Sequence, residues 1–425
     1  MERREFFERL VGGTALSLYA LKDLNGAIYQ NIGSLNEAYR DVPSPDGVYW
    51  ESIKKHFVME NSLIMMNNGT VGPIPEPVYT ATMGYFKVQM TNPSDVYTYF
   101  PQKVDEVRYK LAKFVNVSPD EVAILRNTTE GMNFVANGLE MKEGDEVLLS
   151  NLEHPGLIDP WRLKAKRYGI KVIEVPLGVP PSSVEEIVEA FRKAITSRTK
   201  IIAVGHTIFI TGLITPLKEL SDLAHQNNLL ILADSAHGIG MLDLKLKDWG
   251  VDFFGASPYK WLGAPLGTGL FYVRQEVQDR LWPTIATGGW DKFQSARRFE
   301  TLSQRADALI LGLGEAIDFQ NAIGKQRIER RIRSLAGYLK TRLRDIPGLK
   351  LHTNDDTYLS AGLTAFSIKD LAPENIVNYL REKYNIVVRT IGDAEQGTLG
   401  VRVSTNIHVS MKDIDLLVEG IQELT

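Results

Sequence analysis

The sequence predicts an α/β protein: a large domain with a mostly parallel sheet between helices, then a smaller α+β C-terminal domain. Three observations carry this expectation. From about residue 60, short apolar and β-branched runs alternate with segments of helical spacing. Strands that are apolar on both faces need helices on both faces, which is the parallel α/β arrangement. After about residue 300 this alternation gives way to a long helical segment, followed by strands with helices between them. Finally, the chain has 425 residues, 44% of them hydrophobic, with 48 Lys and Arg against 52 Asp and Glu. That is enough apolar material for a full core and, at this length, for more than one domain.

The first thirty residues stand apart. Arg3-Arg4-Glu5-Phe6-Phe7 precedes an uncharged run from Leu10 to Leu21. The run is shorter than the roughly 20 apolar residues of a membrane span, and it fits the core of an export signal. A twin arginine with Phe close behind resembles a twin-arginine export signal. An amphipathic N-terminal helix is the other reading of residues 1–30. An exported, periplasmic location and a cytoplasmic one both stay open, and neither involves stable membrane insertion. Residues 31–60 are expected to pack with the small domain. Residues 61–300 are expected to form the large domain, and residues 301–425 the small one.

Within the large domain, Glu121 to Leu125 reads as a strand and Thr129 to Leu139 as a helix. Glu146 to Ser150 is a further strand. Ser183 opens a helix, with Glu186 three residues on as the second half of a capping box. Lys200 to Val204 and Leu229 to Ala233 are apolar strands flanking a helix from Leu217 to His225. In the C-terminal part Ile328, Ile332, Leu335, Leu339 and Leu343 share one helix face. Arg327, Arg330, Arg331, Arg333, Lys340, Arg342 and Arg344 fill its other faces, which are expected to be solvated. Leu363 to Ile368, Ile386 to Arg389 and Val401 to Ser404 read as strands.

Composition narrows the chemistry. A formal charge of −4 gives no basic surplus for nucleic acid. Without cysteine there is no disulfide, zinc–thiolate site, iron–sulfur centre or thiol nucleophile. The seven histidines are scattered without metal-ligand spacing, so no metal site is expected. The glycine-rich run Gly263 to Gly269 has neither Gly-x-Gly-x-x-Gly nor a P-loop lysine, so nucleotide binding is not expected.

Two segments carry the chemistry. Ile231-Leu-Ala-Asp234-Ser-Ala-His237 ends an apolar strand on a carboxylate, where open α/β sheets bind ligands. Alone, Asp234 reads as a helix cap. Ala256-Ser257-Pro-Tyr259-Lys260-Trp261 then places a lysine among aromatic and small residues. Such surroundings lower an amine's pKa and favour Schiff-base chemistry. An aspartate at a strand end followed by this lysine is the arrangement a pyridoxal phosphate site requires: the lysine bonds the cofactor, and the aspartate keeps the pyridine nitrogen protonated. Arg126-Asn127-Thr128-Thr129-Glu130, at a strand-to-helix transition, is the candidate phosphate cradle, with Ser257 adding a hydroxyl.

With these residues in place, the chain resembles the class V aminotransferase-fold enzymes of pyridoxal phosphate fold type I, in particular their isopenicillin N epimerase-like branch. The matching segments keep the family's order from Asn67-Asn-Gly-Thr-Val-Gly72 to Val401-Arg402-Val-Ser404. Between them lie Thr128-Thr129-Glu130, Glu153-His154, Asp234-Ser-Ala-His237, Ser257-Pro-Tyr-Lys260-Trp261 and Arg298-Phe-Glu300. The resemblance implies a seven-stranded sheet and a homodimer acting on a small amino-acid substrate. It implies Lys260, Asp234 and His154 as catalytic residues. Thr128, Thr129, His154, Asp234, His237, Ser257 and Lys260 would hold the cofactor, with His154 stacked on its ring and His237 near the ring hydroxyl. Arg402 and Asn68 would hold the substrate, Arg402 pairing its carboxylate through two parallel bonds.

Three positions depart from the family pattern. Phe209 stands where relatives place a small polar residue near the ring hydroxyl, Tyr259 where many have His, and Leu302-Ser303 where Gly-Thr is usual. Loss of the α-proton to the lysine is common to several outcomes: epimerisation, transamination and lyase chemistry. Epimerisation or transamination is the first expectation, with His154 or Tyr259 as the second acid–base group. A thiol-independent cysteine or cystine C–S lyase is the alternative, because cysteine desulfurases of the usual kind need a cysteine this chain lacks. A non-catalytic binding or scaffold protein would have lost Lys260 or Asp234, and both are present.

Overall fold

The computed structural model describes residues 25–38, 47–60, 62–288 and 290–425. The twin arginine and the uncharged run after it lie outside these residues. Among the described residues there are thirteen strands. They are β1 (Ile64–Met65), β2 (Val122–Leu125), β3 (Glu146–Ser150), β4 (Lys171–Val175), β5 (Thr199–Gly205), β6 (Leu230–Ser235) and β7 (Phe253–Ala256). The chain continues with β8 (Gly269–Val273), β9 (Leu349–Leu351), β10 (Leu363–Ile368), β11 (Ile386–Val387), β12 (Arg389–Ile391) and β13 (Gly400–Ser404).

The large domain is the expected α/β sandwich around a seven-stranded sheet of order β2-β8-β7-β6-β5-β3-β4. Only β8 runs against its neighbours. The central strands β3, β6, β7 and β8 are buried at every position, as strands covered on both faces must be. The two edges are managed differently. On β4 the charged Lys171 and Glu174 are exposed, which discourages pairing with another chain. On β2 the outer edge is capped by side chains: Glu300 accepts the Ile124 N–H at 2.8 Å, and Arg305 donates to the Ile124 carbonyl at 2.9 Å. Arg108 and Arg305 both pair with the Glu300 carboxylate, so the Arg298-Phe-Glu300 segment closes a sheet edge.

The small domain is built on an antiparallel sheet of order β12-β13-β10-β9. The segment expected as one strand from Ile386 to Arg389 is split. Ile386 and Val387 pair in parallel with β1, whereas Arg389–Ile391 pairs antiparallel with β13. Helix Lys325–Leu343 buries the five apolar residues read from its periodicity. Its basic faces are not uniformly solvated. Arg331 is buried over the Trp50 ring and donates to the Val409 carbonyl at 3.0 Å. Lys340 is buried against the Asn354 carbonyl and the Ser360 hydroxyl at 2.9 and 3.0 Å. Long basic side chains can bury their stems and still satisfy their heads on backbone carbonyls, which charge patterning does not register.

Two smaller corrections follow from hydrogen bonding. Ser183 caps its helix by accepting the Glu186 N–H at 3.2 Å, but the Glu186 carboxylate turns to Ser182 rather than closing the box on Ser183. The helix read from Thr129 starts one residue earlier, at Thr128, because Asn127 is its cap and accepts the Glu130 N–H at 3.0 Å. Before the large domain, Tyr49, Trp50 and Ile53 of helix Val48–Lys54 enter the larger core cluster. Lys54 pairs with Asp413 of the C-terminal helix Met411–Gln422 at 2.6 Å. Among the described residues, no helix is long and apolar enough to cross a membrane.

Candidate active site

The carboxyl ends of β2, β3, β5, β6 and β7 converge on one cleft. Its lining includes Thr128, Thr129, His154, Asp234, His237, Ser257 and Lys260, so the cofactor-site candidates chosen from sequence are brought together. Each sits where a strand hands over to a loop or helix, which is where a parallel sheet leaves room for ligand.

One end of the cleft gathers donors of the kind an anion needs. Helix Thr128–Gly138 points its N-terminus inward. The Thr128 and Ser257 hydroxyls lie 2.8 Å apart, and the Thr128 N–H donates to Ser257 Oγ at 3.2 Å. Hydroxyls and unpaired N–H groups at a helix start suit a phosphate.

Asp234, in the lining of the same cleft, is buried and accepts the Ala236 N–H at 3.0 Å through one oxygen. Burial pushes its carboxyl upward, against the Ala236 bond and the charges of His154 and Lys260. A protonated ring nitrogen is the counter-charge such a carboxylate calls for. Burial also pulls the Lys260 amine down to about 8, with Asp234 opposing and Arg402 and Arg389 assisting. A lysine so placed is a free base for part of the time near neutrality.

His154 caps helix Pro155–Tyr168, its Nδ1 accepting the Gly156 N–H at 2.9 Å. That bond fixes the neutral tautomer with the proton on Nε2. Burial and the nearby Lys260 and Arg402 lower its pKa, with Asp234 opposing. The Phe209 ring meets it edge-on, with centroids 4.8 Å apart at 85°. His237 is buried, accepts from the Trp261 indole at 3.3 Å and is held neutral by burial.

The substrate-side candidates come from the loop at residues 67–72 and from β13. Arg402 is almost fully buried, donating to the Phe209 carbonyl at 2.8 Å and to Asn67 Oδ1 at 3.3 Å. Its Nε is buried with no partner among the described residues. Arg402 is not among the residues that line the cleft, and neither is Asn68. The Asn68 amide donates to the Lys260 carbonyl at 2.8 Å and so positions the lysine backbone. The glycines of Asn67-Asn-Gly-Thr-Val-Gly72 are explained by this close approach: a Cβ on Gly69 would collide with the Arg402 guanidinium, and one on Gly72 with the Lys260 carbonyl.

Sequence reasoning assigned no role to Glu153, Asn67 or Thr207. Glu153 is buried in the cleft wall, accepting the Ser150 hydroxyl at 2.6 Å and the Gly205 N–H at 2.7 Å. Burial raises its carboxyl to about 8. Its place immediately before His154 was the available signal. Among the described residues, no cluster of His, Asp and Glu could hold a metal.

A family model described as aminotransferase class V matches residues 65–417. The chain belongs to the class V aminotransferase family of pyridoxal phosphate enzymes. It is 29% identical over 396 residues to an isopenicillin N epimerase of Streptomyces clavuligerus, covering 88% of this chain and 98% of that protein. It is 27% identical over 400 residues to a probable cysteine desulfurase of Methanothermobacter thermautotrophicus, with the same coverage. The cystine C–S lyase C-DES, solved with its product cysteine persulfide, shares the fold at a TM-score of 0.77. That match has 23% identity and covers 86% of this chain and 98% of the other. The class V cofactor fits the donors present. Thr128, Thr129 and Ser257 would hold its phosphate and Asp234 its ring nitrogen, while Lys260 faces the same space.

Proposed function

We propose that this class V enzyme removes the α-proton of an amino acid and acts as an isopenicillin N epimerase-like epimerase or as an aminotransferase. The observation that carries the reading is the Lys260 amine, lowered to about 8, in the cleft that Asp234 and the phosphate cradle also line. Bound pyridoxal phosphate withdraws electrons from the α-carbon and stabilises the carbanion left by proton loss. Arg402 holds the substrate carboxylate through its unpaired Nε and adjacent Nη, a planar match that fixes the α-carbon. Lys260 Nζ takes the α-proton as general base, and Asn68 on the lysine carbonyl fixes the backbone from which that amine extends. With Nδ1 occupied by Gly156, His154 packs its ring over the cleft and offers an Nε2 proton.

Where the proton returns decides the reaction. Incubating amino acids in D₂O separates the outcomes: deuterium at Cα with inversion marks epimerisation, and a keto acid marks transamination. Absence of both would overturn the reading. Ammonia with pyruvate marks the second reading, a thiol-independent cysteine or cystine C–S lyase. It is favoured by the fold shared with C-DES and by a chain that contains no cysteine.

The proposal includes a homodimer. Its support is a set of exposed apolar residues: Tyr79 and Met83 on helix Glu76–Thr91, and Leu266 in the turn after Lys260. Light scattering on the purified protein tests it, and a monomer at micromolar concentration would refute it.

A further inference from the structure

We propose that a cavity between four helices, separate from the active cleft, binds an organic ammonium ion that carries an N–H donor. The cavity shares no lining residue with the cleft that holds Lys260.

Helical spacing builds it. Asn25 and Tyr29 are an i, i+4 pair in the helical residues 25–38, and Ala81 and Tyr85 are another on helix Glu76–Thr91. Tyr99, Lys103, Glu106 and Lys110 follow one face of helix Tyr99–Phe114. Glu315 and Asp318 are an i, i+3 pair on helix Asp307–Ile323. Residues three or four apart are neighbours on a helix surface, so each helix turns one such set to the common space.

Charge sets what this space can hold. Of the three carboxylates that line it, Glu106 pairs with Lys103 and Asp318 with Lys110. Glu315 pairs with no cation among the described residues. Its carboxylate accepts only from neutral groups: the Tyr85 hydroxyl at 2.7 Å, the Asn25 amide at 3.2 Å and the Tyr29 hydroxyl at 3.4 Å. Burial and the Glu315 charge push the Tyr29 and Tyr85 hydroxyls well above their ordinary range, so both stay neutral donors. Neutral donors orient a carboxylate and leave its charge in place. A carboxylate held partly out of water in this way calls for a positive partner.

Asn25 adds an unanswered acceptor. Its side chain is in a residue only 5% exposed, and Oδ1 has no hydrogen-bond partner among the described residues. The amide nitrogen is already engaged by Glu315 and by the Pro77 carbonyl at 3.4 Å. A buried acceptor is satisfied by an N–H, and the adjacent carboxylate selects an N–H that is charged. Tyr29, Tyr85 and Tyr99 supply aromatic surface beside these acceptors, which attracts an organic cation. A carboxylate, an amide oxygen and three tyrosines therefore suit an ammonium ion with carbon substituents better than an inorganic cation, which seeks more oxygen ligands.

The test uses the full chain loaded with pyridoxal phosphate and probes that form no Schiff base with it. Trimethylammonium carries one N–H, tetramethylammonium carries none, and tert-butanol has a similar shape without the charge. Calorimetry is expected to show trimethylammonium binding at a single site, about fivefold or more tightly than either of the others, with the visible absorption of the cofactor unchanged. Glu315→Gln keeps an oxygen acceptor for the tyrosines and should weaken trimethylammonium about tenfold or more. Asn25→Ala should remove the preference over tetramethylammonium. Tyr99→Leu breaks none of these hydrogen bonds and should weaken both ammonium ions roughly two- to tenfold, so it decides the matter if Glu315→Gln fails to fold. Trimethylammonium that binds no better than tetramethylammonium, tert-butanol or potassium chloride would overturn the proposal. So would an affinity that survives both Glu315→Gln and Tyr99→Leu in variants that melt as wild type does.

Discussion

Glu153 is a cleft residue whose protonation the fold controls through burial. Its folded pKa of about 8 lies above its ordinary value of 4.5 because burial disfavours the carboxylate. Between these values the native state binds more protons than the unfolded chain, so stability falls as pH rises through the interval. Glutamine mimics the protonated acid: its oxygen can accept the Gly205 N–H, and its amide can face the Ser150 hydroxyl. Glu153→Gln should therefore match wild type in melting temperature near pH 4.5 and exceed it near pH 8.5. A constant difference between the two proteins across that range would contradict the assigned protonation. Ser257 gives a second residue-scale expectation. Its hydroxyl and that of Thr128 share the anion end of the cleft. A hydrogen bond to a charged group contributes about 1.5–3 kcal/mol. Ser257→Ala should weaken pyridoxal phosphate binding roughly 10- to 100-fold while leaving the fold intact, as equilibrium titration of the cofactor-free protein can read.

At the scale of elements, the loop at residues 67–72 shows what sequence could and could not disclose. Asp234 and Lys260 were legible because their chemistry together names a cofactor, whereas Arg402 was reached only through the family resemblance. Strands β2, β3, β5 and β6 were legible from their apolar runs, whereas β7 and β8, buried at every position, were not read. Edge strand β4 was not, since Lys171 and Glu174 break its apolar run. The two-residue strands β1 and β11 carry no pattern, and their pairing is set by tertiary contact. Helix Glu76–Thr91 is packed by helix Asp307–Ile323 and exposes Tyr79, Met83 and Met90, so its apolar residues mark no single face. Within the 67–72 loop the glycines were visible, but their reason was not. Gly69 admits the Arg402 guanidinium where any side chain would displace it. Gly69→Ala should raise KM tenfold or more, about 1.4 kcal/mol of substrate binding. Cofactor affinity should stay unchanged, because Arg402 takes no part in holding the phosphate. A variant that loses cofactor instead would show the loop to be a general support of the cleft.

For the molecule as a whole, the question is how a cleft lined by the large domain stays in register with an arginine from the small one. Strand β10 provides the link. Leu363 and Ala365 belong to the core shared with the large domain, whereas Phe366 and Ile368 belong to the small domain's own core. The same strand pairs Ala365 with Arg402 on β13. Gly362, just before it, packs against the Trp261 ring next to Lys260. One strand thus joins both cores and both ends of the substrate site. Leu363→Ala removes fully buried volume, at a cost of about 2–5 kcal/mol. If β10 couples the domains, that loss should lower the denaturation midpoint equally for tryptophan fluorescence, with Trp50 and Trp261 in the shared core, and for the visible absorption of bound cofactor. KM should rise as well, because Arg402 depends on the same strand. Midpoints that separate, with the cofactor signal unmoved, would mean that the small domain yields alone and that register in the cleft is kept by the large domain.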